Sequence, residues 1–99
     1  MKLFIDDIRE APKGWEIARN SVEALSLLRQ GTVEEISFDH DLGSKLTGYD
    51  VALWIEQQVF CKKMKPPIMK VHSANPVGAG RLRACIDRIY KQYNKNNKE

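Results

Sequence analysis

Ninety-nine residues make one domain, with little room for a second, and a chain this short buries a modest fraction of its surface, so its margin of stability is thin. Sixteen basic against thirteen acidic residues give a net charge of +3, and a 42% hydrophobic, 29% charged composition is that of a globular chain rather than a disordered one. No apolar run approaches the roughly 20 residues of a membrane span, so no membrane partner is expected. The basic excess sits in Lys62, Lys63, Lys65, Lys70 and the segment from Arg81 to Lys98. A solvated helix face and a soluble tail are the favoured account of it, and a surface that holds an anionic ligand or nucleic acid is the alternative.

Lys2 to Ile5 is a short apolar run ending in Asp6-Asp7, a buried strand that stops at a functional edge. Pro12 and Gly14 mark a loop, and Trp15 to Arg19 alternates apolar and polar like an edge strand. Asn20 caps the next helix, with Glu23 at the capping-box position; Val22, Leu25 and Leu28 form its stripe and Gly31 ends it. Glu35 to Phe38 is a strand running into Asp39-His40-Asp41, followed by a polar loop from Gly43 to Thr47.

Thr47 caps a second helix with Asp50 three residues on, and Val51, Trp54, Ile55 and Val59 share one face until Pro66-Pro67 forbids continuation. Ile68 to His72 is the fourth strand, and Ser73 to Gly80 reads as a loop. Arg81 to Tyr93 is the last helix, with Leu82, Cys85, Ile86, Ile89, Tyr90 and Tyr93 in helical phase. The domain is expected to span residues 1–94, with 95–99 a flexible tail. Cys85 reads as a core thiol and Cys61 as a tolerated residue at a helix end, neither with a metal or redox spacing. Free thiols, and a strand in place of a signal peptide after Met1, point to the cytoplasm.

The order β β α β α β α implies an α/β fold with a parallel sheet, whose strand C-termini share one ligand-binding edge. Asp6, Asp7 and Asp39 end neighbouring strands about 4.8 Å apart. Three carboxylates so close repel unless a cation joins them, and a divalent metal, Mg²⁺ or Mn²⁺, suits carboxylates plus a phosphate. Asp41 either joins that metal set or orients His40. His40 and His72, the two histidines of the chain, both fall at this edge and can act as base and acid, with Asp39 the third catalytic candidate. Arg9 and Ser73 are phosphate-binding candidates, as are the N–H groups of residues 77–80; Asn75 is either a phosphate contact or a helix cap.

Phe4-Ile5-Asp6-Asp7, Phe38-Asp39 and Val71-His72-Ser73 resemble the receiver domain of response regulators. The fuller pattern, with Arg9 and Pro12, Ser37-Phe38-Asp39-His40-Asp41-Leu42-Gly43, Thr47-Gly48-Tyr49-Asp50 and His72-Ser73-Ala74-Asn75-Pro76, resembles the cyclic-phosphate processing receiver domain family over nearly the whole chain. The resemblance implies a truncated receiver (flavodoxin-like) sheet of four strands in order 2-1-3-4 with three helices, Asp6, Asp7 and Asp39 in metal-binding roles, and Ser73 on the phosphoryl group. It departs from a receiver in lacking a helix between the first two strands and a fifth strand with its lysine. The expected function is a metal-dependent phosphoesterase that processes cyclic phosphates, either a cyclic nucleotide or a 2′,3′-cyclic RNA end. A non-catalytic binding module for a phosphorylated ligand and a degenerate receiver for protein–protein regulation stay open beside it. The sheet face left bare by the truncation would be covered by the last helix, by a second copy in a homodimer, or by its own polar residues.

Overall fold

The computed structural model describes residues 1–98. Its elements are β1 (Lys2–Ile5), β2 (Trp15–Ala18), α1 (Ser21–Arg29), β3 (Glu35–Phe38), α2 (Gly48–Phe60), β4 (Ile68–Val71) and α3 (Pro76–Asn97). The strands are parallel, in the order β2-β1-β3-β4. This is the expected receiver-like α/β sheet. They end in register: Ile5 lies opposite both Ala18 and Phe38, and Phe38 opposite Val71.

The two-residue pleat sends alternate side chains to opposite faces. Leu3, Ile5, Ala18, Ile36, Phe38 and Met69 face the helices and form the core with Val51, Ile55 and Val59 of α2 and Leu82, Cys85 and Ile89 of α3. All three helices contribute buried residues to that core. The last helix therefore packs beside α2 and is not swung across the other face. That second face carries one row of Trp15, Lys2, Glu35 and Ile68 and, above it, one of Ile17, Phe4, Ser37 and Lys70. It is clothed by its own groups: Lys70 pairs with Glu35 at 2.8 Å and the Lys2 ammonium lies over the Trp15 ring.

Two helices differ from the sequence reading. In α1 the buried positions are Ser21, Ala24 and Leu28, while Val22 is 69% exposed. Small side chains let this nine-residue helix lie close to the sheet, which turns Val22 outward. Glu23 takes its backbone bond from Arg19, one residue before the Asn20 cap. Helix α3 starts at Pro76 rather than Arg81, because Asn75 Oδ1 accepts the N–H groups of Val77 and Gly78, both at 3.1 Å, and Pro76 fills a first-turn position that needs no donor. At the other end, residues 95–97, read from the sequence as tail, continue the helix, and Asn96 Nδ2 donates to Val59 O at 2.9 Å. No described helix is long and apolar enough to cross a membrane.

Candidate functional site

Strands β1, β3 and β4 each hand their last ladder bond to the residue after them. Asp6 N–H donates to Ala18 O at 3.1 Å, Asp39 N–H to Ile5 O at 3.0 Å and His72 N–H to Phe38 O at 2.9 Å. By the pleat, Asp6, Asp39 and His72 then form the row beyond Phe4, Ser37 and Lys70. One ligand atom from each of the three lies within 4.8 Å of the others.

Asp6 is the fixed point. It is 1% exposed, and its Oδ1 accepts the N–H groups of Ile8 at 2.9 Å and Arg9 at 2.8 Å, an Asx turn that folds the chain away from β1. Burial alone would raise its pKa, but the Arg9 and Ile8 N–H groups and the facing His72 more than offset this and hold it below the ordinary carboxylate value. The other oxygen, Oδ2, faces His72 Nε2 at 3.1 Å. The His72 ring lies flat on Phe4, centroids 4.1 Å apart and planes at 5°, and its Nδ1 is 2.7 Å from Ser37 Oγ. Arg9 Nη1 donates to His72 O at 2.8 Å and stands 3.9 Å from Asp6 Oδ2. Arg19 Nη1 in turn donates to Arg9 O at 2.6 Å, so the loop is tied at both sides.

These donors fit a divalent cation. Ligand atoms about 2.0–2.2 Å from a common ion are separated by at most about 4.4 Å, so the observed spacing needs only a few tenths of an ångström of closure. Ser37 beyond the imidazole supplies the outer hydrogen bond that a metal-bound histidine ordinarily has. Asp6, Asp39 and His72 would hold the ion. Asp7 and Asp41 lie outside this group. Asp7 turns towards Gly43, where an added Cβ would come 3.0 Å from its Oδ2.

Asp41 belongs to a second cluster. Its Oδ1 is 3.0 Å from His40 Nδ1 and its Oδ2 accepts from Asn75 Nδ2 at 3.2 Å; the His40 bond first, and then Asn75, lowers its pKa. The His40 ring sits against Gly78, where any Cβ would fall 2.3 Å from Cγ. Ser73 Oγ accepts the Asn75 N–H at 3.1 Å, leaving its own proton to donate. The Asn75 side chain is committed to the cap and to Asp41. The cap also consumes the Val77 and Gly78 N–H groups, and Ala79 N–H bonds Asn75 O at 2.8 Å, so those donors do not face the site as the sequence reading expected.

Sequence reasoning did not place Ser37, Phe4 or Arg19 in the site. The available signal was Ser37, a polar residue between Ile36 and Phe38 and two residues before Asp39, hence on the same side of the strand. The profile of the cyclic-phosphate processing receiver domain matches residues 1–88, almost the whole chain and every strand. The chain belongs to that family. No curated protein and no solved structure matches it. In this cyclic-phosphate processing receiver domain, the first aspartate of the pair after β1 and the aspartate after β3 are joined by an imidazole from the end of β4.

Proposed function

We propose that the strand-end site is a metal-dependent phosphoesterase centre that opens cyclic phosphates. The observation that carries the reading is His72: its Nε2 faces Asp6 beside Asp39 while Ser37 occupies its Nδ1. Asp6, Asp39 and His72 are the ion's ligands. Imidazole in the set favours Mn²⁺ over Mg²⁺, which prefers oxygen donors alone. The bound cation supplies neutralisation of charge on the phosphoryl oxygens.

Acid–base work then falls to His40. Asp41 holds Nδ1–H of that ring, which leaves Nε2 to take a proton from water as its oxygen attacks phosphorus. One ring P–O bond breaks, the leaving sugar oxygen takes up the proton that His40 Nε2 received from water, and a phosphomonoester results. Ser73 O–H donates to a phosphoryl oxygen, and Arg9 adds positive charge beside Asp6.

A second reading, docking of a protein partner for regulation, is favoured by the apolar residues Ile8, Leu46 and Val77, which stand 81%, 47% and 74% exposed on the loops and helix start around the site. The test is a panel of nucleoside 2′,3′- and 3′,5′-cyclic phosphates incubated with Mn²⁺ or Mg²⁺, with phosphomonoester followed by phosphorus NMR. Turnover by the wild type, reduced about a hundredfold or more in Asp39→Asn and His72→Ala, is the expected result. An inert wild type across the panel leaves the docking reading in its place.

A further inference from the structure

An aromatic path leads away from the site. His72 is stacked on Phe4, and Phe4 meets Trp15 edge-on with centroids 6.2 Å apart. All three lie on the sheet face that no described helix covers. Phe4 and Trp15 are partly exposed there, and the Lys2 ammonium rests 5.8 Å from the Trp15 centroid, over the indole, where an aromatic ligand would displace it. Lys13 precedes β2 in an exposed loop, and Arg9 is half-exposed at the upper end. The path therefore begins at the cation-binding residues and runs between cationic side chains.

Its length identifies the ligand. Trp15 is level with Lys2, four residues below Asp6, which places it roughly 13 Å down the sheet at about 3.3 Å per residue. That exceeds the reach from the phosphate of one nucleotide to its own base, but the next base of a strand spans it. A cyclic phosphate at a strand end bridges ribose 2′ and 3′ oxygens, so the strand is RNA. Resting on the phosphoesterase reading above, we infer that the open sheet face is a base-stacking platform for the 3′ end of single-stranded RNA. The terminal phosphate lies at Asp6, Asp39 and His72, and an upstream base lies on Trp15.

A second copy of the chain suits this face less well. The two central strands contribute Lys2, Phe4, Glu35 and Ser37, three of them polar, whereas the centre of a protein–protein interface is depleted of charge. Aromatic rings interleaved with cations on an open four-stranded sheet suit stacked bases and phosphates.

The test uses a single-stranded oligoribonucleotide of about six residues ending in a 2′,3′-cyclic phosphate. In a Trp54→Phe background Trp15 is the lone indole, and saturable quenching of its emission by this RNA is expected. Trp15→Ala should raise the Kd about tenfold, by loss of one stacked base. Lys2→Glu, which leaves the rings and core in place, should weaken binding at low salt, an effect that fades as salt is added. Absence of quenching, or unchanged affinity in both Trp15→Ala and Lys2→Glu, overturns the inference. So does light scattering that shows a wild-type dimer abolished by Trp15→Ala. Wild-type hydrolysis of a mononucleoside cyclic phosphate tests the catalytic reading separately: turnover without RNA binding sinks only the platform, and RNA binding through Trp15 without turnover sinks only the catalysis.

Discussion

The imidazole of His72 is held by Phe4 beneath it, Ser37 at Nδ1 and Asp6 at Nε2, so its place between the carboxylates is set by packing as well as polarity. Close approach of backbone does similar work next door. A Cβ on Gly48 would lie 1.9 Å from the carbonyl oxygen of Asp39, and backbone cannot give way as a flexible side chain can. Gly48→Ala should cost about 1–3 kcal/mol or more in urea unfolding, by overpacking. Gly80→Ala, whose added methyl meets nothing within 4 Å inside α3, should gain about 0.5–1 kcal/mol in the same measurement. Equal effects of the two substitutions would refute this assignment. The carboxylates were legible in the sequence because each follows an apolar run. The partners of His72 were not. Ser37 and Phe4 meet it across strands, and such contacts depend on register, which one sequence does not state.

The ends of elements show which local signals dominate. Asn75 and Pro76 are readable start signals for a helix, yet Gly78 and Gly80 made the segment look like a loop. The helix forms through them because the cap satisfies its first donors and because Gly78 lets α3 come against His40. Asn75→Ala should therefore destabilise the fold by about 1 kcal/mol through the lost cap. Asn75→Ser keeps a capping oxygen and loses the donor to Asp41 without setting a new charge beside it, so by thermal unfolding it should stay near the wild type; a loss as large as that of alanine would contradict the capping role. In α2 the Thr47–Asp50 capping box and the Val51, Ile55, Val59 stripe appear as read, since a longer helix on a core averages out local ambiguity. In nine-residue α1 the phase of the stripe was misread by Val22, because small buried residues such as Ser21 and Ala24 carry little hydrophobic signal.

At the level of the whole molecule, helices on a single face leave a two-layer domain in which one core carries the stability and one edge gathers Asp6, Asp39 and His72. Strand order followed from the family pattern, whereas what clothes the second face required the pleat and register of all four strands. The two thiols report on the core separately. Burial first, and then Glu56, push the Cys85 thiol up to about 11, while Cys61 is exposed. A thiol reagent should modify Cys61 at once and Cys85 only as fast as the core opens, so the slow phase should follow denaturant-measured stability. Fast labelling of both would mean a looser core. Whether Asp6, Asp39 and His72 make one cation site is decided by calorimetric titration of the protein with Mn²⁺. A single saturable site is expected, weakened about tenfold to a hundredfold in His72→Ala and also lost in Asp39→Asn. Wild-type protein that takes up no Mn²⁺, or His72→Ala protein that binds it as tightly as the wild type, would rule the shared site out.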